Sequence, residues 1–176
     1  ICISLSRSGP DTIKPEWMKA MAKDAICFTC ANPIPEIWPW EAKEAGVKIV
    51  ATGRSDFPNQ VNNSIGFPGI FRGVLNVTSW TNTDEMCLAA AYELAKYTED
   101  HGINENYIIP TMGEWEAFVK VAVGGGLKAI EQGVAQKKLS REELTKQAER
   151  MVKGARETVD TLMKTGLIPP VPEGLI

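Results

Sequence analysis

The chain has 176 residues, of which 44% are apolar and 23% charged, the balance of an ordinary globular domain. Its net charge of -3, with acids and bases interspersed, suggests no polyphosphate-binding face and points to no nucleic-acid partner. No apolar run reaches the length of a membrane span, no signal peptide opens the chain, and four cysteines without framework spacing fit a reduced, cytoplasmic protein.

Three apolar runs come first, at 1–5, 25–31 and 47–51. They are nearly continuous rather than alternating, which suits parallel strands covered on both faces. The first run begins at residue 1, where a buried strand is an unusual natural terminus. The chain is therefore expected to be the C-terminal part of something longer. A helix is predicted to begin at Pro15, with proline in its first turn, and another to run from Pro39 to Ala45 and close at Gly46. The sum is β-α-β-α-β, half of a doubly wound sheet.

Thr52 to Gly73 reads as a long polar connection, rich in glycine, proline and asparagine, with neither helical nor strand periodicity. Residues 84–99 form an alanine-rich helix. Residues 114–136 form another, in which Gly124-Gly125-Gly126 implies a break or a tight helix contact. The last helix starts at a capping box, Ser140 with Glu143. Leu144, Ala148, Met151, Val152, Ala155, Val159 and Leu162 make one apolar stripe along it. Gly166 and Pro169-Pro170 stop it, and the tail to Ile176 is read as extended. Two domains are expected, 1–110 and 111–176.

In a parallel sheet the C-terminal ends of the strands share one edge, where ligands bind. Three loops leave that edge here: Ser6 to Pro10, Asn32 to Glu36, and Gly53 to Asp56. Asn32, Asn62 and Asn63 can each offer an amide N–H and a carbonyl, suited to carboxylates and carboxamides. Taken singly, Asn32 starts a turn before Pro33, and Asn62-Asn63 cap a helix. Taken together, the loops make a binding crevice. Other groups read as structural. Cys27 and Cys30 point to opposite strand faces, and His101 caps a helix end. The five tryptophans are scattered packing residues, and Asp24, Glu36 and Asp56 are isolated acids.

Asn32-Pro33-Ile34-Pro35-Glu36, the run Gly53 to Asn63, and Phe67-Pro68-Gly69-Ile70-Phe71-Arg72-Gly73 together resemble malic enzyme, in its shorter, prokaryotic-type form. Ser6 to Pro10 and Ile108-Ile109-Pro110 extend the likeness over most of the chain. The resemblance implies that residues 1–110 are the C-terminal half of a Rossmann-like NAD(P)-binding domain, followed by C-terminal α-helices. It implies oxidative decarboxylation of L-malate to pyruvate and CO2, with NAD or NADP and with Mg2+ or Mn2+. It places Asn32 and Asn62 at the cofactor and Asn32, Asn62 and Asn63 at the substrate, in a cytoplasmic homodimer. No catalytic residue or metal ligand is carried over, because the family's tyrosine, lysine, acidic ligands and glycine-rich fingerprint have no match here. The chain alone is expected to be inactive without the remainder of the polypeptide. Beyond Pro110 the family's acidic-proline pattern is replaced by Thr111-Met112-Gly113-Glu114-Trp115. Two other readings remain compatible with the residues: a related amino-acid dehydrogenase-like cofactor domain, and a non-catalytic helical assembly module.

Overall fold

The computed structural model describes residues 1–170. Three short strands, β1 (Cys2–Ser4), β2 (Ile26–Thr29) and β3 (Ile49–Thr52), form a parallel sheet in the order β1-β2-β3. Cys2 pairs with Cys27 and Cys27 with Val50, so the strands end level, at Ser4, Thr29 and Thr52. The crossovers carry α1 (Pro15–Lys19) and α2 (Pro39–Glu44), each with proline in its first turn, where a missing N–H costs nothing. Gly46, at φ 96°, ends the second crossover in a conformation that disfavours side chains. The predicted β-α-β-α-β order is present, with strands shorter than the apolar runs that signal them.

Helices α1 and α2 touch each other, and both share a core with Cys27 and Val50 through Met18, Ile37 and Ala42. The expectation of cover on both faces is not met within the described residues. Ile26 and Phe28 alternate to the other face and are only half-buried, while Ile3 on the edge strand is exposed. The crossover helices supply one layer; on the opposite face Ala51 is buried, but no second helical layer is present among the described residues.

The region from 52 to 73 is not one irregular connection. After a 3-10 turn at Asn63–Ile65, α3 runs from Phe67 to Val77. Its buried face is made of Gly69, Gly73, Asn76 and Val77, so the side that would announce a helix through bulky apolar residues instead carries small ones. The reason lies in α5 (Trp115–Glu131). A Cβ on Gly73 would sit 2.4 Å from the Ala122 carbonyl, and one on Gly69 would sit 2.8 Å from the Cβ of Val121. The two helices pack backbone to backbone.

α5 is continuous through Gly124-Gly125-Gly126, so of the two predicted alternatives the tight contact is the one realised. A Cβ on Gly124 would meet the Ala89 carbonyl of α4 (Asp84–Asp100) at 3.1 Å. α6 (Arg141–Lys164) begins at the predicted capping box: the Glu143 N–H donates to Ser140 Oγ at 3.2 Å, and the Ser140 N–H donates to Glu143 Oε2 at 2.8 Å. Leu144 and Ala148 complete a second core with Val77, Met86, Val119 and Val123.

The apolar stripe predicted along α6 is covered only at its start. Met151, Ala155 and Val159 remain exposed, because the helix runs on past the body formed by α3, α4 and α5. The end of the predicted extended tail, 171–176, lies outside the described residues.

Because a methyl at position 73 would collide with backbone rather than with a movable side chain, Gly73→Ala should destabilise the chain by about 1–3 kcal/mol. Chemical denaturation checks this, and Gly154→Ala, where a Cβ meets nothing within 4 Å, is the control expected to fall within about 0.5 kcal/mol of wild type or above it.

Candidate functional site

The three strand-end loops are bound to one another. The Cys30 N–H donates to the Ser4 carbonyl at 2.9 Å, carrying the ladder one step past β2. The Gly9 N–H reaches the Ile34 carbonyl at 3.2 Å, and Ser8 and Ile34 exchange two further bonds through the Ser8 hydroxyl.

Beneath them lies Glu36, fully buried rather than an isolated surface acid. Its Oε1 accepts from Ser4 Oγ at 2.8 Å, the Ser6 N–H at 2.9 Å and Ser6 Oγ at 3.3 Å; its Oε2 accepts from the Ala31 N–H at 3.1 Å. Burial alone would raise the pKa of this carboxyl, but the donors from Ser6, Ser4 and Ala31 outweigh it and hold the group below the usual carboxylate range. One ionised side chain thereby ties the exits of β1 and β2.

The third loop is joined by Arg54. Its Nη1 donates to the Pro33 carbonyl at 2.8 Å, while Nε and Nη2 grip both carboxylate oxygens of Asp56 at 2.8 and 2.6 Å. The guanidinium lies 5.9 Å from the ring centre of Trp38 and 5.6 Å from that of Phe57. Trp38 stacks on Trp40 at 4.8 Å. The tryptophans are thus not all scattered: two of them gather with Phe57 beside the candidate site. Their spacing in the chain hides this, because Phe57 arrives from the next strand.

The three asparagines singled out in the sequence differ in how far they are committed. Asn32 is exposed, sits before a cis bond to Pro33, and has no side-chain hydrogen bond among the described residues. Asn63 is likewise exposed and unengaged. Asn62 does cap a turn: its Oδ1 accepts from the Ser64 N–H at 3.0 Å, and its Nδ2 donates to the Gly53 carbonyl at 3.0 Å. One N–H and one lone pair remain to it. Gly53 itself leaves little room, since a Cβ there would stand 3.3 Å from the Cys30 carbonyl and 3.8 Å from the Asn62 amide nitrogen. Asn62 is thereby brought against the exits of β2 and β3.

Asn59 has a structural task. It is buried at φ 59°, donates to the Val50 and Glu105 carbonyls at 3.0 and 2.8 Å, and accepts from the Ile108 N–H at 3.0 Å. The loop before α5 is thus pinned to β3. A pocket of about 290 Å3 opens there, bordered by Phe57, Asn59, Tyr107 and Pro110. The Tyr107 hydroxyl donates to Glu114 at 2.6 Å, and burial together with that carboxylate pushes its pKa upward, so it is no base at neutral pH. A larger groove of about 620 Å3 lies between α4 and α5, away from the strand ends.

Cys27 is buried, and desolvation together with neighbouring Cys2 pushes its thiol up to about 12. Burial and the charge of Glu36 also raise Cys30. Both thiols are thereby held in the neutral, poorly nucleophilic form at neutral pH. Among the described residues no three acidic, histidine or cysteine side chains cluster as a metal site, and no helix is long and apolar enough to cross a membrane.

Comparison with known proteins agrees with this geometry. Residues 45–130 match the family described as malic enzyme, NAD binding domain. The chain is 40% identical over 151 residues to the bifunctional malic/malolactic enzyme of Bacillus subtilis, covering 86% of this chain and 36% of that protein. It is 45% identical over 130 residues to the NAD-dependent malic enzyme of Geobacillus stearothermophilus, covering 74% of this chain and 27% of the relative. Its fold superposes on the crystal structure of Entamoeba histolytica malic enzyme with a TM-score of 0.94 and 48% identity, over 97% of this chain and 36% of the other. By family match, sequence and fold, the chain is similar to the malic enzymes. It spans about a third of the length of these malic enzymes, and the residues that match their NAD-binding domain take in β3, α3, α4 and nearly all of α5.

Glu36→Gln is not a neutral replacement, since an amide nitrogen at either position faces a backbone N–H, of Ala31 or of Ser6, that cannot turn away. The variant should lose about 1–3 kcal/mol, the cost of leaving a buried donor unsatisfied. The depressed pKa fixes the sign of the pH dependence. The stabilisation is complete above the ordinary glutamate value of about 4.3 and fades as pH falls below it through the folded-state pKa. Denaturation midpoints measured across that acid range should therefore fall more steeply for wild type than for Glu36→Gln.

Proposed function

We propose that this chain supplies one wall of the active site of an enzyme that oxidatively decarboxylates L-malate to pyruvate and CO2 with NAD or NADP. The observation that carries the reading is the convergence of three loops at the C-terminal edge of a parallel sheet. Asn32 and Asn63 are there left with free amides, and Asn63 lies within the residues, 45–130, that match the malic enzyme NAD-binding family.

The residues fit a nicotinamide cofactor and a carboxylate substrate. Asn32 and Asn62 offer paired donors and acceptors that suit a carboxamide, and Asn32, Asn62 and Asn63 offer N–H donors that suit a carboxylate. Asn62, held by Gly53 and Ser64, presents what remains of its amide in a fixed direction. NAD or NADP, when bound, supplies the hydride acceptor. The amides orient the substrate relative to it without changing their own charge, and the loops that carry them exclude water from one side.

The residues do not fit a divalent metal: no acidic cluster is present among those described, so Mg2+ or Mn2+ would be held by residues outside this chain. The groups that move protons in malate oxidation would also lie outside it. A cytoplasmic location, a homodimeric state and a division into a cofactor segment, 1–110, and a C-terminal helical segment, 111–176, belong to the same proposal.

The test uses the intact enzyme. Reduction of NAD or NADP should depend on malate, and activity with an amino acid but not malate would select the dehydrogenase-like alternative. Asn63→Ala should weaken malate binding by about 1–3 kcal/mol, the cost of leaving a desolvated polar group unpaired. A Michaelis constant and rate equal to wild type would remove Asn63 from the site.

A further inference from the structure

The side chain of Asn32 is free, but its backbone is held on both sides. On one side the Ala31 N–H is bound to buried Glu36 at 3.1 Å. On the other, the Pro33 carbonyl is bound to Arg54 Nη1 at 2.8 Å. Arg54 comes from a different strand exit, that of β3. We propose that Arg54 is a positioning residue, whose guanidinium sets the direction in which the Asn32 amide is presented. The proposal rests on the reading that Asn32 acts on substrate or cofactor.

Two roles for Arg54 compete, and its partners decide between them. An arginine at the edge of a carboxylate-binding site invites a direct role as an anion ligand. Here Asp56 already takes the fork, with both oxygens bound and the positive charge offset. An incoming carboxylate would have to displace a bidentate partner of the same chemistry, so direct capture gains little. Of the three N–H groups that Asp56 does not take, one donates to the Pro33 carbonyl, so the pair with Asp56 acts as a brace that aims this bond.

The aromatic setting restrains the same group. Trp38 and Phe57 lie within 6 Å of the guanidinium, and Trp38 is the residue at which the Asn32 loop enters α2. The loop is therefore gripped at Ala31, Pro33 and Trp38. Lysine cannot reproduce this, because a single ammonium lacks the planar fork that addresses Asp56 and Pro33 at once.

A double-mutant cycle in the intact enzyme tests the idea, with kcat/KM for malate and the thermal midpoint measured for each variant. Arg54→Ala should lower kcat/KM roughly 10- to 100-fold, the scale of a misplaced reacting partner. The same change made on top of Asn32→Ala should cost less than about twofold more, because its effect passes through Asn32. Arg54→Lys should fail to rescue. Asp56→Asn should act in the same direction as Arg54→Ala but more weakly; a lower KM for malate in that variant would instead reveal a directly binding arginine and overturn the proposal.

A lowered thermal midpoint with unchanged kcat/KM in Arg54→Ala would mean a merely structural staple, and would also overturn it. So would losses that multiply in full on Asn32→Ala, with the role of Asn32 left standing. If Asn32→Ala alone leaves kcat/KM unchanged, the reading of Asn32 itself fails and the proposal falls with it.

Discussion

A carboxylate with no access to water sits where two parallel strands end, and the geometry of the candidate site depends on it. Glu36 is charged although buried, and burying a charge is unfavourable unless donors surround it. Four donors do so, from Ser4, Ser6 and Ala31, and they come from two different strand exits. The requirement to satisfy one ion therefore becomes a requirement that two loops keep a fixed distance. Parallel strands have no tight turn to join their ends, so such a cross-tie must come from side chains. Arg54 adds the third loop in the same way, through a carbonyl.

The asparagine turn is located by a different force. Asn62 and Asn63 stand just before α3, and α3 is fixed by close approach to α5 at Gly69 and Gly73. Steric contact between backbones is stiff, since neither partner has a rotamer to change. Hydrogen bonds place the loops at 32 and 54, and van der Waals contact through α3 joins the Asn62 bond to Gly53 in placing the loop at 62. The sheet core and the helical core are separate clusters, and the chain from Thr52 to Gly66 connects them.

Much of this arrangement is legible in the chain. Continuous apolar runs mark the strands, prolines mark the starts of α1 and α2, and Ser140 with Glu143 marks the start of α6. The motif from Gly53 to Asn63 points to malic enzyme before any geometry is known. α3 is hidden because its buried face is glycine and asparagine with a single valine at its end, and a hydrophobic pattern cannot report a contact made by the absence of side chains. Glu36 passes for an isolated acid because its donors are mostly backbone N–H groups and serines some 30 residues away, with no charge to pair. The cluster of Arg54, Trp38, Trp40 and Phe57 is hidden for a related reason: its members come from neighbouring loops, and only the parallel order of strands makes them adjacent.

The edge strand β1 has a further consequence. Among the described residues it is paired on one side only, and Ile1, Ile3 and Leu5 along it are exposed. A row of unpaired backbone groups beside apolar side chains is a template for another strand. In the setting of a larger polypeptide, that edge is where the sheet can be extended. For this chain in isolation it is an adhesive margin, so concentration and strand-capping additives, more than the stability of either core, would govern whether it stays monodisperse.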